Sequence, residues 1–289
     1  MTRFFTTASL IAVSFTAAQA SADLVDHWTF DSADTSGNTA FDTAGLNANN
    51  AVAPGTAVYA GGFLGDGAAS FTTAGSSIFN VASIELSNAT AITISMWIKN
   101  EGAQETNSSN SDNDIGIFVS RDTMAQRAAT TFNNQFWGLG LERDNGETDF
   151  TVRGDSTGTT RAENVSESFL SDWTHIAYTW QRNGPTANNT ADDPTAVYIN
   201  GALAQAGTVN ADTYVSGSWN LGHDPNDSGR DYNGLIDDLA IFDEALTAQE
   251  VAALYNDGLN GLNAAGVPEP GSLALLGLGG LLIARRRRG

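Results

Sequence analysis

Ile92-Thr93-Ile94-Ser95-Met96-Trp97-Ile98-Lys99 is the stretch from which the fold is read. Ile92, Ile94, Met96 and Ile98 alternate with Thr93, Ser95, Trp97 and Lys99. A period of two puts the aliphatic side chains on one face of an extended chain, which describes a strand with one face in a core. Outward from it, the same reading predicts strands at Leu24 to Phe30, Ala68 to Thr72, Ile115 to Arg121 and Phe136 to Glu142. Further strands are expected at Thr148 to Arg153, Trp173 to Gln181, Thr195 to Ile199 and Leu235 to Phe242. Turn material such as Asp144-Asn145-Gly146, Asn183-Gly184-Pro185 and Asn200-Gly201 separates them. Many short strands joined by Gly, Asn and Asp turns give an all-β chain, a two-sheet antiparallel jelly-roll sandwich. One short C-terminal helix is expected from Thr247 to Asn256: Thr247 and Glu250 have capping-box spacing, and Gly258 is available for a left-handed exit.

Composition narrows the function. The 289 residues include 33 acidic and 13 basic ones and no cysteine, for a formal charge of −20. Nucleic acid is excluded as a partner, because such a chain is repelled by the phosphates it would have to neutralise. The lack of cysteine removes disulfide scaffolds, thiol catalysis and Cys-ligated metals together. Five of the basic residues, Arg3 and Arg285 to Arg288, lie in the end segments. The body between them therefore carries eight basic against thirty-two acidic residues, a net −24.

The two ends read as addresses. Residues 1–22 have an early Arg3, an apolar run from Phe4 to Ala18 and the small-x-small patterns Ala18-Gln19-Ala20 and Ala20-Ser21-Ala22. This is the form of a secretory signal peptide. Residues 263–289 contain Pro268-Glu269-Pro270, a Gly/Leu-rich segment from Ser272 to Ala284, and then Arg285, Arg286, Arg287 and Arg288. Thirteen helical residues rise only about 20 Å against a hydrocarbon core of about 30 Å, so the segment is expected to make transient membrane contact. The terminal arginines would hold that end on the cytoplasmic side. The box, short helix and arginine cluster resemble the PEP-CTERM sorting signal. That resemblance implies processing by an exosortase and a secreted or cell-surface location in a Gram-negative bacterium. It also implies a setting of extracellular polysaccharide, biofilm or floc.

The middle, residues 23–262, resembles the laminin G-like branch of the concanavalin A-like lectin/glucanase superfamily. The pieces that carry the likeness are His27-Trp28-Thr29-Phe30-Asp31, Ile94-Ser95-Met96-Trp97-Ile98 and Trp173-Thr174-His175-Ile176-Ala177, followed by Val197-Tyr198-Ile199-Asn200-Gly201 and Gly234-Leu235-Ile236-Asp237-Asp238-Leu239-Ala240-Ile241-Phe242. It implies two antiparallel sheets, one of them concave, with loops on the rim.

Catalysis has little support in these residues. Superfamily glycosidases carry an E-x-D-x-x-E strand, and the nearest match, Glu147-Thr148-Asp149-Phe150-Thr151-Val152, ends in Val where the acid/base group is needed. His27, His175 and His223 have no zinc spacing, and His175 reads as a packing histidine. Calcium is the expected cofactor, since acid-rich loops supply the oxygens it needs. The resemblance implies Asp31, Asp34 and Asp237 as its ligands, against a reading in which these acids cap turns. Glycan recognition is expected on exposed rings beside amides or carboxylates: Trp137, Trp219 and Tyr232, with Tyr214 and the rim loop at Asp224. Trp97, Trp173 and Trp180 are assigned to the core. The function expected is a non-catalytic exported module that binds glycan or matrix polymer. Two alternatives stand beside it: a structural matrix component with no private ligand, and a divergent polysaccharide-degrading enzyme.

Overall fold

The computed structural model describes residues 22–44, 49–71, 78–81, 90–101, 113–121, 136–144, 147–154, 158–165, 171–183, 193–209, 219–223 and 231–266. Residues 1–21 and 267–289, Tyr214 and Asp224 lie outside them. Strands are numbered along the chain. One sheet holds β1 (Leu24–Trp28), β5 (Tyr59–Ala60), β6 (Ala68–Ser70), β8 (Ala91–Asn100), β13 (Thr174–Gln181), β14 (Asp193–Ile199), β15 (Ala202–Val209) and β17 (Gly234–Phe242). Their order is β15-β14-β13-β8-β17-β6-β5, with β1 also paired to β17. The other sheet holds β2 (Thr35–Ser36), β3 (Thr39–Ala40), β4 (Ala51–Val52), β7 (Phe79–Val81), β9 (Asn113–Arg121), β10 (Phe136–Asp144), β11 (Glu147–Gly154), β12 (Gly158–Val165) and β16 (Trp219–Leu221). Its order is β12-β11-β10-β9-β16-β7-β4-β3-β2. Every pairing among these strands is antiparallel. This is the jelly-roll sandwich the sequence calls for.

The core lies between the sheets and is made by period-two alternation. Ile92, Ile94, Met96 and Ile98 of β8 are buried in it, as are Ile176 and Tyr178 of β13 and Ile236 of β17. The facing sheet contributes Phe79, Val81, Phe118, Leu139, Phe150, Trp219 and Leu221. A second apolar layer covers the other side of the first sheet, where Ala177, Ala240 and Phe242 meet Leu246, Val251, Leu254 and Ala264.

That layer is supplied by helix α1 (Ala248–Leu259). Thr247 accepts from the Glu250 amide while Glu250 Oε2 accepts from Thr247 N at 2.7 Å, so the expected capping box closes. The helix runs three residues beyond the expected end. Gly258 lies inside it rather than at a left-handed exit, packed so closely that a Cβ there would meet the Trp97 ring at 2.7 Å. The left-handed turn comes at Gly261, φ 80°. Asn200 and Gly201, with φ of 49° and 73°, make the two-residue hairpin joining β14 to β15. Among the described residues no helix is long and apolar enough to cross a membrane.

Candidate functional site

Two places collect chemistry-bearing residues. The first surrounds the connection between β5 and β6. β17 carries a bulge between Asp237 and Ala240, and Asp238 sits there at φ 49°. The bulge lets two consecutive acids serve different partners. Asp237 Oδ2 accepts from the amides of Phe63 at 2.7 Å and Leu64 at 2.8 Å. Asp31 Oδ1 accepts from the amides of Asp66 at 2.6 Å and Gly67 at 2.9 Å. Two carboxylates thus hold four donors of one loop. The fit is close, since a Cβ at Gly65 would overlap the Asp31 carboxylate and one at Gly67 would overlap the Phe30 carbonyl. Asp66 in turn takes the amide and hydroxyl of Ser32, at 2.8 and 2.6 Å.

Burial sets the protonation of these groups. Asp237 is fully buried, and desolvation pushes its carboxyl up to about 8, against the two amide bonds that favour the ionised form. Its Oδ1 is buried with no hydrogen-bond partner. Burial also raises Asp31, whereas the bonds from Ser32 lower Asp66. Asp34 accepts from the Thr29 hydroxyl at 2.7 Å. Asp31, Asp34 and Asp237 do not converge: among the described residues no group of three His, Cys, Asp or Glu side chains gathers where a metal could be held. Amide N–H groups point at the carboxylates a cation would need, so the trio as placed fits a loop better than a calcium ion. Asp237 Oδ1 is the one buried oxygen of the three acids left open to a further ligand.

On the same sheet face, Asp237, Trp97 and His175 stand opposite one another across β17, β8 and β13. Phe63 stacks on Trp97 at 4.0 Å between ring centres, and Tyr255 stacks at 5.7 Å. His175 Nε2 lies 2.8 Å from Ser95 Oγ, and burial lowers its pKa to about 3, so it stays neutral. It is the packing histidine expected. His27 is also buried, between Asp238 Oδ1 at 2.6 Å and Thr43 Oγ1 at 2.7 Å, and the Asp238 carboxylate also accepts from Ala264 N at 3.2 Å.

The second place is the outer face of the nine-stranded sheet. Directly opposed residues run across all nine strands: Thr159, Arg153, Gly138, Val119, Asn220, Asn80, Val52, Thr39 and Ser36. Their neighbours along the strands, among them Phe118, Leu139, Trp219 and Phe79, are in the core, which assigns this row to the outer side. Asn80 and Asn220 are adjacent in it. Asn80 is exposed, Asn220 is only 8% exposed, and neither side chain has a hydrogen-bond partner among the described residues. Gly138 and Gly140 occupy consecutive outward positions of β10, with Gly116 opposite Gly140. Phe41, next to β3, is a large exposed ring.

Two expected platform residues are corrected by burial. Trp219 is fully buried and stacks on Phe118 at 4.7 Å, because Trp219 and Leu221 take the inward positions of β16 and leave Asn220 outward. Tyr232 is 1% exposed, donates to Asn100 Oδ1 at 3.0 Å and has its phenol pKa raised by burial. Neither ring can stack on a sugar. Trp137 has its backbone in β10 opposite Ser120, and its side chain lies outside the described residues. Trp97 and Trp180 are buried as expected, Trp97 under α1 rather than in the central core, while Trp173 is half-buried. The residues the sequence reading missed are Asn80, Asn220 and Asp66, none of which carries a local signal; Asp238 stands out in the sequence beside Asp237, but its partner His27 does not.

Comparison with known proteins agrees with this architecture. A family model described as the concanavalin A-like lectin/glucanases superfamily matches residues 72–252. A second, the PEP-CTERM protein-sorting motif, matches residues 266–288 and implies export and sorting to the cell surface. No curated protein shows a significant match. Among solved structures, domain 4 of AbnA, an extracellular arabinanase from Geobacillus stearothermophilus in complex with arabinotriose, is 24% identical with a TM-score of 0.53. The match covers 81% of this chain and 98% of that one. The botulinum neurotoxin serotype D ligand-binding domain in complex with N-acetylneuraminic acid is 18% identical, TM-score 0.51, covering 81% of this chain and 50% of that one. The binding domain of Paraclostridial Mosquitocidal Protein 1 is 20% identical, TM-score 0.53, with 82% and 53% covered. The chain spans about half the length of those toxin domains. At these identities the likeness is one of fold.

Proposed function

The chain belongs to the concanavalin A-like lectin/glucanase superfamily, and from that membership we propose that it is an exported, non-catalytic surface module that binds a glycan or matrix polymer on the outer face of its nine-stranded sheet. The observation that carries the reading is the Asn80–Asn220 pair in the middle of that face. Asn220 is nine-tenths buried with its amide unpaired among the described residues. The amide is not among the buried unsatisfied groups, so it reaches the surface of the sheet, where sugar hydroxyls, which donate and accept, would bond to it. The outward glycines of β10 leave room beside it for a chain of sugar rings. Sugar-bound structures among the solved relatives support the same reading.

The absence of catalysis is supported by register. Val152, which stands where an acid/base group would be needed, is opposite the core residue Leu139. Calcium stays in the proposal with the ligands expected from the sequence, Asp31, Asp34 and Asp237, and would have to displace the loop amides that Asp31 and Asp237 now accept from. The mature module is proposed to span residues 23–262, released from its tail by an exosortase that cuts near Pro268-Glu269-Pro270.

Affinity electrophoresis of the protein through gels containing soluble polysaccharides tests the reading. Retardation by at least one polysaccharide is expected, and Asn220→Ala should abolish it without lowering the melting temperature. Retardation that survives both Asn220→Ala and Asn80→Ala would move the site elsewhere. No retardation on any polysaccharide would favour a structural matrix role. Mature protein from the host that still carried Arg285 to Arg288 would overturn the sorting part.

A further inference from the structure

The half of the outer face carried by β16, β7, β4, β3 and β2 is uncharged. Its outward row reads Asn220, Asn80, Val52, Thr39 and Ser36, without an acid or a base among them. The alternate positions carry the core residues Trp219, Phe79, Val81, Ala51 and Ala40, which fixes the side. Phe41 continues β3 by one step. Its amide donates to the Asp34 carbonyl at 2.8 Å, so the chain stays extended past buried Ala40 and presents the ring on the side of Thr39. Phe41 is 40% exposed and Val52 44%. The two are diagonal neighbours, about 7–8 Å apart, because Val52 stands opposite Thr39. Val52 in turn stands opposite Asn80, and Asn80 opposite Asn220.

This patch stands apart from the chain that carries it. Between the two end segments there are eight basic residues against thirty-two acidic ones. The acids that flank the patch in sequence have inner partners of their own. Asp34 accepts from the Thr29 hydroxyl at 2.7 Å, and Asp42 Oδ1 accepts from the amides of His27 and Ala44, each at 3.0 Å. What is left facing outward is one ring, one branched aliphatic side chain and two free amides.

Taking the glycan-binding proposal as its premise, we infer that the ligand is a neutral polysaccharide lying across the strands from β16 to β3, with the apolar face of one sugar ring on Phe41 and Val52 and the hydroxyls of its neighbours on Asn80 and Asn220. The span is three strand spacings, about 14 Å, enough for more than one ring. A sugar ring shows C–H groups on its face and hydroxyls at its rim. An aromatic side chain takes the first, and amides, which donate and accept, take the second. A polyanion would be repelled by the acidic body and would find no cation in this row to receive its carboxylates, and a polycation would find no acid there.

The test is affinity electrophoresis of the full chain through hydroxyethyl cellulose and through galactomannan, each beside its carboxymethylated form. The wild type should be retarded by at least one of the neutral polymers, less by its carboxymethylated form, and equally at low and high salt. Phe41→Ala should weaken that retention roughly tenfold at unchanged melting temperature, and Phe41→Trp should keep it. A ring held for packing alone would move the melt and leave the retention as it was. Asn220→Ala should weaken retention as well. Retention as strong on the carboxymethylated forms, or retention by charged polymers only, would overturn the neutral assignment while leaving glycan binding intact. Retention that Phe41→Ala keeps in full would remove the ring from the site. Failure on every polysaccharide tried, these four included, would instead sink the glycan reading beneath it.

Discussion

Asp237 has one carboxylate oxygen accepting from two amides and the other accepting from nothing, in full burial. Its folded value of about 8 stands above the ordinary 3.8, so the folded chain keeps a proton that the unfolded chain gives up. The stability this contributes is fully present below pH 4 and is lost as pH rises through 8. His175 runs the other way: its folded value of about 3 is below 6.5, so its contribution is present above pH 6.5 and lost as pH falls through 3. Between pH 6.5 and 8 only Asp237 of the two changes. The wild type should lose about 2 kcal/mol over that window, roughly 4–8 °C in melting temperature, and Asp237→Asn should not. Melts with calcium and with chelator, run on both proteins, check the metal proposal: an ion held by Asp237 raises the wild type, more at pH 8 than at 6.5, and leaves Asp237→Asn unmoved. At this scale the sequence pointed to the acids but not to their partners. Asp31 and Asp237 are over two hundred residues apart, and the loop amides that occupy them carry no side-chain signature at all.

Among the elements, β8 and β17 were legible because an aliphatic run of eight or nine residues displays its period, and α1 was legible because its capping box is a local pattern. The two- and three-residue strands β2 to β7 were too short to show one, apart from Ala68 to Ser70. β15, Ala-Leu-Ala-Gln-Ala-Gly-Thr-Val, is almost wholly exposed and has no apolar alternation to read. The same brevity hid β16, where Trp219 and Leu221 face in and Asn220 faces out. That alternation becomes visible only once Asn80 and Val119 are known to flank it. For α1, Thr247→Ala removes the cap and should cost about 1 kcal/mol in chemical denaturation. Gly258→Ala should cost more than the helix propensity gained, because the added methyl is driven into the Trp97 ring. A stabilised Gly258→Ala protein would show that α1 can lift from the sheet without loss.

For the molecule as a whole, the sandwich and its acidic surface could be read from period and composition, while the candidate face could not. Its row is assembled from nine strands whose register is set only when the sheet closes. The earliest strand makes this plain. β1 pairs with β17, Leu24 with Phe242 and Trp28 with Leu239, and His27 meets Asp238 at the same seam. Deleting residues 22–28 should therefore leave no cooperative unfolding transition, whereas a nibbled loop should leave one. Contacts this distant in sequence form late and slowly. In an exported chain β1 stays unmated until β17, the last strand, is available to it. That seam closes after hairpins such as β10–β11 and β14–β15, whose strands follow one another along the chain. Burial of Trp28 against Leu239 is thus the step that completes the sandwich and marks a domain whose two ends have met.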